Sequence, residues 1–268
     1  MELISLSPLD LAIAASLVCL LALLSWLLRL GIGRRLLIAA ARSAVQLILL
    51  GMVLKTLFAQ TSLWLIGLLT LIMLAVAGYE VMARQQRRFS GLWGYGLGAM
   101  SMFLSSFTIT LLALLTVVKV DPWYQPQYLI PLLGMLLGNT MSGIAIALDN
   151  LTRTTWEQRN TIEARLIMGH EWHSAIASIR RDALRSGLIP VINAMTTAGI
   201  VSLPGMMTGQ ILAGSPPLEA AKYQLMILFL IAAGSGIGSV SAIWAGSKRL
   251  FDERQRLRLD RLDRASRD

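Results

Sequence analysis

Long stretches with few charged side chains divide this sequence, and they constrain its fold more than any other feature. An α-helix rises 1.5 Å per residue, so about 20 apolar residues cross the roughly 30 Å hydrocarbon core of a bilayer. Only 15% of the 268 residues are charged, against about 25% in soluble domains. The sequence therefore predicts an all-α polytopic membrane protein, with one transmembrane domain of about seven helices. The seven segments are 11–28, 36–58, 63–82, 93–118, 128–148, 188–213 and 223–247.

The positive charges predict the orientation of these spans. Twenty of the 24 lysines and arginines lie in the first, third and fifth connections and in the tail 248–268. Because basic residues are retained on the cytoplasmic side, we expect the N-terminus outside, and the connection 149–187 and the tail inside. Arginine and aspartate recur at helical spacing in the tail, which predicts a solvated helix with some attraction to anionic lipid. The expected location is the cell inner (plasma) membrane, with several passes.

The net charge of +9 does not indicate a nucleic-acid partner. The basic residues lie beside the ends of apolar segments, which is the distribution expected at a membrane surface. We therefore expect the lipid bilayer as a partner and no nucleic acid.

The connection 149–187 is long, polar and rich in helix-forming residues. A first helix over 157–168 is predicted to end at Gly169, a natural C-cap. A second helix places Trp172, Ile176, Ile179 and Ala183 on one face. Two interpretations remain open: both helices lie on the membrane surface, or they dock into a groove of a cytoplasmic partner.

One motif in this connection resembles the EAA loop of ABC-importer permeases. Glu163, Ala164 and Arg165 are followed after three residues by Gly169, where the family has Glu-Ala-Ala, three residues and Gly. Arg165 departs from that pattern, and the expected proline comes late, at Pro190. In that family the loop contacts the ATPase. The resemblance and the helical pattern together predict ATPase-coupling residues at Glu163, Ala164, Gly169, Trp172 and Ile176.

Four further stretches are similar to the iron-export permease family of ABC transporters. They are RSAVQL at 42–47, GNTM at 138–141, SLPGMMTG at 202–209 and KYQ at 222–224. The resemblance implies a permease that forms a homodimer, pairs with a separate cytoplasmic ATPase and exports iron or another metal. Plant relatives in that family are linked to aluminium tolerance and nucleotide-sugar transport, so a nucleotide sugar or another organic solute is the alternative cargo.

No phosphate-binding loop of the form G-x-x-x-x-G-K-[ST] occurs in the sequence. The nearest string, at 245–248, lacks both the spacing and the hydroxyl residue. We therefore expect a translocation subunit that is not itself an enzyme and binds no cofactor. ATP and Mg²⁺ are expected on the partner.

The sixth apolar segment contains a predicted break in its helix. Pro204 removes a backbone donor and Gly205 adds freedom, and Asn193 and Gln210 lie on either side. A broken helix in a membrane is tolerated where protein or a water-lined cavity satisfies its backbone. The break is either part of the translocation path or a static kink.

Other polar residues within the spans are also candidates for that path. Arg42 and Gln46 lie one turn apart in the second span, where the arginine either binds an anionic cargo group or snorkels to the interface. Asn139 in the fifth span either lines the path or hydrogen-bonds between helices. The tentative path residues are Arg42, Gln46, Asn139, Asn193, Pro204, Gly205, Met206, Met207 and Gln210.

Two pairs of residues are candidate metal ligands. Met206 and Met207 offer thioethers, which suit Cu(I) better than iron, and apolar packing is the competing interpretation. His170 and His173 are three residues apart rather than the four of the zinc-protease motif, and they lie in the connection predicted to dock the ATPase. The sequence does not identify a metal-binding site.

Two smaller patterns make structural predictions. The pairs Gly94 with Gly98 and Gly234 with Gly238 predict close helix packing. Two carboxylates near span ends, Glu80 and Asp149, are either entry points for a cation or ion-pair partners, and the partners would be Arg84 and Arg153.

A second class of function is an ATP-independent channel or carrier. The spans contain no histidine, no pair of cysteines and no central carboxylate, so neither a proton relay nor a tight Fe²⁺ cage is visible. Amides, hydroxyls and thioethers suit weak binding, a chelated metal or an organic cargo. A channel would transport without an ATPase, which separates the two classes.

Overall fold

The computed structural model describes residues 7–59 and 62–264. These residues form two compact units: the first runs to residue 62 and includes 212–214, and the second comprises 63–211 and continues from residue 215. Both units are built almost entirely from helices, which confirms the predicted all-α polytopic class.

The first unit is a pair of helices, α1 (Pro8–Leu27) and α2 (Gly33–Ala59). Helix α1 begins with a capping box, in which the Ser7 backbone N–H donates to Asp10 Oδ2 over 2.8 Å and the Asp10 N–H donates to Ser7 Oγ over 3.3 Å. Gly33 allows α2 to pass close to α1, since a Cβ there would lie 3.0 Å from the Ala22 carbonyl oxygen. Arg42 and Gln46, both on α2, have exposed side chains.

The second unit contains the remaining elements. Two π-helical stretches, Phe103–Phe107 and Ala113–Val118, interrupt its second long helix around α5. A short 3-10 turn, Leu259–Arg261, precedes the last strand. In chain order the elements are α3 (Leu63–Ala83), β1 (Arg87–Phe89), α4 (Leu92–Met102), α5 (Thr108–Leu112), α6 (Pro126–Glu157), α7 (Arg159–Ile167), α8 (Trp172–Ala175), α9 (Ala177–Thr197), α10 (Gly205–Leu212), α11 (Pro217–Arg249) and β2 (Leu262–Arg264).

Six helical stretches in the described residues have the length and composition to cross a membrane. They are Pro8–Leu27, Gly33–Ala59, Leu63–Ala83, Leu92–Val118, Pro126–Glu157 and Pro217–Arg249. Each overlaps one of the predicted segments, so hydropathy located these six from the sequence.

The seventh predicted segment, 188–213, differs from the prediction because it is not one helix. Its first part belongs to α9, which begins at Ala177 inside the predicted connection. The chain leaves the helix at Ala198, turns through Gly199 at φ +82°, and becomes helical again at Gly205. The break therefore starts several residues before the proline that marked it in the sequence. The connection 149–187 is likewise shared: its start continues α6 to Glu157, and its end is the first half of α9.

The prediction of a solvated helix over the tail 248–268 is wrong over residues 250–264, since α11 ends at Arg249. Residues 265–268 lie outside the described residues. The chain then folds back, and β2 pairs antiparallel with β1 so that Phe89 lies opposite Leu262. Both side chains are buried in the core of the unit. Buried apolar side chains outweigh the helical spacing of the charges, because a solvated helix gains only tenths of a kcal/mol from each pair of opposite charges.

Glycines set the closest approaches between the helices of the second unit. A Cβ on Gly187 of α9 would lie 2.7 Å from the Gly143 carbonyl oxygen of α6, so the two backbones touch. The predicted close packing at the two glycine pairs is confirmed: a Cβ on Gly98 would meet Val81 at 3.0 Å, and one on Gly238 would meet Ile144 at 2.9 Å.

Candidate functional site

One end of the second unit carries most of its folded structure outside the long helices. Helices α3, α6 and α11 end here, and α4 and α9 begin here. Six of the arginines that defined the predicted cytoplasmic side belong to this end, which we call the basic end: Arg84, Arg87, Arg88, Arg153, Arg165 and Arg249.

The elbow, residues 159–176, consists of α7, a turn and α8. Ile162 is buried and fixes α7 to the core, while Glu163 and Ala164 on the next positions are exposed. Gly169 at φ +87° closes α7: its N–H donates to the Leu166 carbonyl, and the His170 N–H donates to the Arg165 carbonyl over 3.1 Å. The predicted glycine C-cap is confirmed.

The far end of α7 presents two large apolar side chains. Ile167 is 87% exposed and Met168 is 69% exposed. They lie just before the cap at Gly169, outside the long apolar helices. Exposed apolar residues next to each other are typical of a surface that binds another protein or the membrane.

Helix α8 is held from two directions. The Arg165 guanidinium on α7 donates to the Ala175 carbonyl oxygen over 2.9 Å. Ile176 separates α8 from α9 with non-helical angles, and its side chain is fully buried. The face predicted from Ile176, Ile179 and Ala183 therefore packs into the core of its own unit. Sequence periodicity alone does not distinguish such a face from a docking face, since both are apolar stripes.

The tail loop, residues 250–264, covers α8. The Trp172 ring stacks on Phe251, with centroids 5.3 Å apart, and the Trp172 backbone N–H donates to Gln255 Oε1 over 3.0 Å. Arg261 donates to the carbonyl oxygens of Arg249 and Phe251, which ties the loop to the end of α11. Trp172 is thus engaged within the chain, and only part of it remains accessible.

Aspartates order this loop. Asp252 Oδ1 accepts the backbone N–H groups of Arg254 and Arg256, and the hydrogen bond from Arg256 is the main reason why the pKa of Asp252 is lowered. The Arg258 guanidinium forms two hydrogen bonds with the Asp260 carboxylate and lowers the pKa of Asp260 to about 2. A carboxyl group with a lowered pKa stabilises the fold at pH values above its unfolded pKa, which is near 3.9. This stabilisation is lost as the pH falls toward 2. Both aspartates are therefore ionised, and hold the loop, between pH 5 and 8.

A cleft of about 730 Å³ lies between the elbow and the tail loop. Glu163, Leu166 and His170 line the elbow side. The opposite side is formed by residues 253–257 of the tail loop. No sequence pattern predicted that the tail loop would form one side of this cleft.

We expect Asp252→Asn to loosen the tail loop without affecting the helices. The neutral amide keeps the size of the side chain but weakens the acceptor that holds two backbone N–H groups. Trypsin at pH 8 should then cleave at Arg254 to Arg258 several times faster than in the parent protein. Asp182→Asn is the matched control, because Asp182 is exposed and lies 3.7 Å from Arg185, outside the tail loop. Equal cleavage rates in both variants would contradict the role given to Asp252.

Two carboxylates predicted as ion-pair partners behave differently. Glu80 lies 3.7 Å from Arg84, as expected. Asp149 instead accepts the Gln86 backbone N–H over 2.7 Å, and Arg153 pairs with Glu157. Asp149 therefore fastens the turn after α3 to α6, a role that residue spacing did not indicate.

The tentative path residues of the second unit are dispersed over α6, α9 and the region after the break. Asn139 is exposed and donates to the Met135 carbonyl of its own helix over 2.8 Å. Asn193 and Gly205 are exposed, and Pro204, Met206, Met207 and Gln210 are half-buried. Gln210 Oε1 is buried and has no hydrogen-bond partner among the described residues. Within residues 7–59 and 62–264, no three His, Cys, Asp or Glu side chains come together as metal ligands.

A buried cluster of hydroxyl groups went unnoticed in the sequence. Ser105 in the first π-helical stretch, Thr140 on α6 and Ser239 on α11 are fully buried, and all three face the glycine contacts between these helices. In the described part of the chain, Thr140 Oγ1 and Ser239 Oγ have no hydrogen-bond partner. Serine and threonine are common in membrane spans, so these residues do not stand out in the sequence. No sequence pattern predicts the π-helical stretch that brings Ser105 to this cluster.

The long apolar helices define this chain as a multi-pass α-helical membrane protein. It belongs to the family described as Uncharacterised protein family (UPF0014), whose model matches residues 8–251.

Several relatives of the chain are named membrane proteins, and another is named a probable permease. The chain is 37% identical over 240 residues to UPF0014 membrane protein slr1647 of Synechocystis sp., which covers 88% of this chain and 90% of that protein. It is 30% identical over 255 residues to the probable iron export permease protein FetB of Escherichia coli, covering 92% and 93%. It is 33% identical over 232 residues to protein ALUMINUM SENSITIVE 3 of Arabidopsis thaliana, covering 86% and 83%. These similarities confirm the resemblance to iron-export permeases and indicate a membrane permease. No solved structure matches the chain.

Proposed function

We propose that this protein is the transmembrane subunit of an ABC exporter in the inner (plasma) membrane, and that a separate ATPase binds the elbow. One observation carries the proposal: the elbow presents Ile167 and Met168 to solvent and continues through α8 directly into α9. A docking surface is thereby linked to a long helix of the bundle. In this proposal the basic end faces the cytoplasm, as the positive charges predict.

The ATPase-binding surface is formed by the exposed part of the elbow and by the tail loop across the cleft. Glu163 and Ala164 lie on the exposed face of α7, and Gly169 shapes its end. Trp172 and Ile176 support this surface from below, because one stacks on the tail loop and the other is buried. These two residues therefore position the surface.

Helix α9 transmits movement of the elbow. Its 21 residues span about 30 Å at 1.5 Å per residue, from Ala177 to Thr197. The Gly187–Gly143 contact brings the backbones of α9 and α6 together, and in this proposal α9 slides along α6 at that contact. At its far end lies the break at 198–204, which is held by local turns: the Thr197 carbonyl accepts the N–H groups of Val201 and Ser202. Hydrolysis on the partner would move α9 and change this break, and Asn193, Pro204, Gly205 and Gln210 would face the cargo.

The cargo proposed first is iron or another metal, exported from the cytoplasm in a weakly bound or chelated form. The name of the Escherichia coli relative, a probable iron export permease, supports this cargo. Two copies of the chain and two copies of the ATPase would complete the transporter, with ATP and Mg²⁺ bound by the ATPase.

A specific observation favours a second cargo class, an organic solute such as a nucleotide sugar. The tentative path residues of the second unit offer amides and thioethers, and the described residues contain no cluster of metal-binding side chains. Amides recognise hydroxyl groups and carbonyls better than bare Fe²⁺.

The experiment that tests the function uses the permease co-purified with its ATPase and reconstituted in lipid. We expect ATP hydrolysis to rise several-fold when the true cargo is added on the ATPase side. Ferrous iron, a ferric chelate and a nucleotide sugar are compared in parallel. Stimulation by a metal species supports the first cargo, and stimulation by the sugar alone supports the second. Failure of the chain to associate with any ATPase would contradict the proposal itself.

A further inference from the structure

An apolar groove of about 500 Å³ lies on the surface of the second unit between α4 and α11. Gly96, Met100 and Leu104 form one side, and Ser241 and Trp244 form the other. Its floor is open at Gly96, since a Cβ there would have no atom within 4 Å. The groove is as large as typical ligand pockets.

The groove begins at the basic end and runs toward the middle of the bilayer. It starts where α4 begins and α11 ends, and both belong to candidate spans. From Leu92 to Leu104 it extends about 18 Å at 1.5 Å per residue. Trp93 and Trp244 are half-exposed at its mouth, and tryptophan favours the headgroup level of a membrane. The groove therefore spans the depth of one lipid acyl chain.

Two cations lie at the mouth of the groove. Arg249 Cζ is 4.9 Å from the centroid of the Trp93 ring, and Lys248 Nζ is 5.6 Å from the centroid of the Trp244 ring. Neither cation forms an ion pair with a carboxylate in the described part of the chain. An adjacent Arg261 donates to the Arg249 carbonyl and adds positive charge. The mouth thus attracts an anion, and the groove beneath it accepts an apolar chain.

We propose that the groove binds an anionic phospholipid, with one acyl chain between α4 and α11 and the phosphate between Lys248 and Arg249. Cationic clusters at the ends of spans recognise anionic headgroups, and the two indole rings attract their cations to the mouth of the groove. A second copy of the chain suits the groove less well. A symmetric interface would place the same patch against itself and bring four cations together.

This site is independent of the ATPase and of the cargo, so it can be tested on the permease alone. The protein is reconstituted in phosphatidylcholine with a small fraction of phosphatidylglycerol that carries brominated acyl chains, which quench tryptophan fluorescence on contact. We expect quenching of Trp93 and Trp244 at a low mole fraction of brominated phosphatidylglycerol. Brominated phosphatidylcholine should need a mole fraction roughly tenfold higher.

Two variants separate the headgroup site from the acyl site. Lys248→Ala with Arg249→Ala should remove the preference for phosphatidylglycerol and leave quenching by bulk lipid. Gly96→Phe fills the open floor and should reduce quenching by both brominated lipids. Lys222→Ala, at the other end of α11, is the control and should change neither. Trp93→Phe with Trp244→Phe identifies the fluorescence that belongs to the groove.

Equal quenching by the two lipids in the parent protein would overturn the proposal. It would also be overturned if the groove tryptophans escape quenching while a Trp244→Cys variant cross-links two copies, since a subunit would then occupy the groove. Loss of the phosphatidylglycerol preference in the double cation variant, with the Lys222 control unchanged, supports it.

Discussion

Replacing Ile167 and Met168 together with aspartate should abolish binding of the ATPase while the membrane domain stays folded. Both side chains are mostly exposed, at 87% and 69%, so they contribute little to the core. In the proposed complex they enter an apolar groove of the partner, where an unpaired carboxylate is costly. Central apolar anchors of an interface contribute about 2 kcal/mol each, or about 4 kcal/mol for the two, so the affinity should fall about several hundred-fold.

The measurement is the dissociation constant of the detergent-solubilised permease for its ATPase, with thermal unfolding as the check on folding. Leu218→Asp is the matched control, because Leu218 is 70% exposed at the opposite end of α11. It should bind the ATPase with the parent affinity. An Ile167→Asp, Met168→Asp variant that binds as tightly as the parent would remove the elbow from the interface.

Gly187→Leu should uncouple ATP hydrolysis from transport and lower the stability of the permease. Even a Cβ at this position would lie 2.7 Å from the Gly143 carbonyl oxygen and 2.8 Å from the Ala147 side chain. Helix α9 must therefore move away from α6, and overpacking of this kind costs about 1–3 kcal/mol. A leucine also introduces a ridge that opposes the proposed sliding of α9. We expect a lowered melting temperature and transport reduced at least tenfold, with basal hydrolysis retained.

Gly187→Ala and Gly236→Ala define the scale of this effect. The first adds only a Cβ at the contact and should give an intermediate loss. The second adds a Cβ where no atom lies within 4 Å and should be neutral, apart from a small gain in helix propensity. If Gly187→Leu transports normally, the contact between α6 and α9 has no part in coupling.

Hydropathy and charge were enough to predict the class of protein and most of its long helices. Each of the six long apolar helices lies on a segment that length and composition alone had located. The glycine pairs predicted close packing correctly, since a position without a side chain has few other uses in a span. Gly169 predicted the end of α7 because a positive φ favours glycine.

The parts that failed depend on contacts distant in sequence. The tail was predicted as a helix from the spacing of its charges, but burial of Phe251 and Leu262 against α8 and β1 decides its structure. Helix α9 crosses the boundary between a polar and an apolar stretch of the sequence. Hydropathy predicts the end of a helix at such a boundary, so the predicted segment began at residue 188 and not at Ala177. The sequence left the apolar face of α8 and α9 open between the membrane surface and a partner, and the structure buries Ile176, Ile179 and Ala183 in the core of their own unit. An apolar stripe does not reveal what covers it.

The most direct measurement compares transport by the permease alone and by the permease with its ATPase in sealed proteoliposomes. We predict that accumulation of the cargo against its gradient requires the ATPase, ATP and Mg²⁺ together, and stops when Ile167 and Met168 are replaced. The permease alone should show no concentrative transport. Uphill accumulation by the permease without any ATPase would contradict the account.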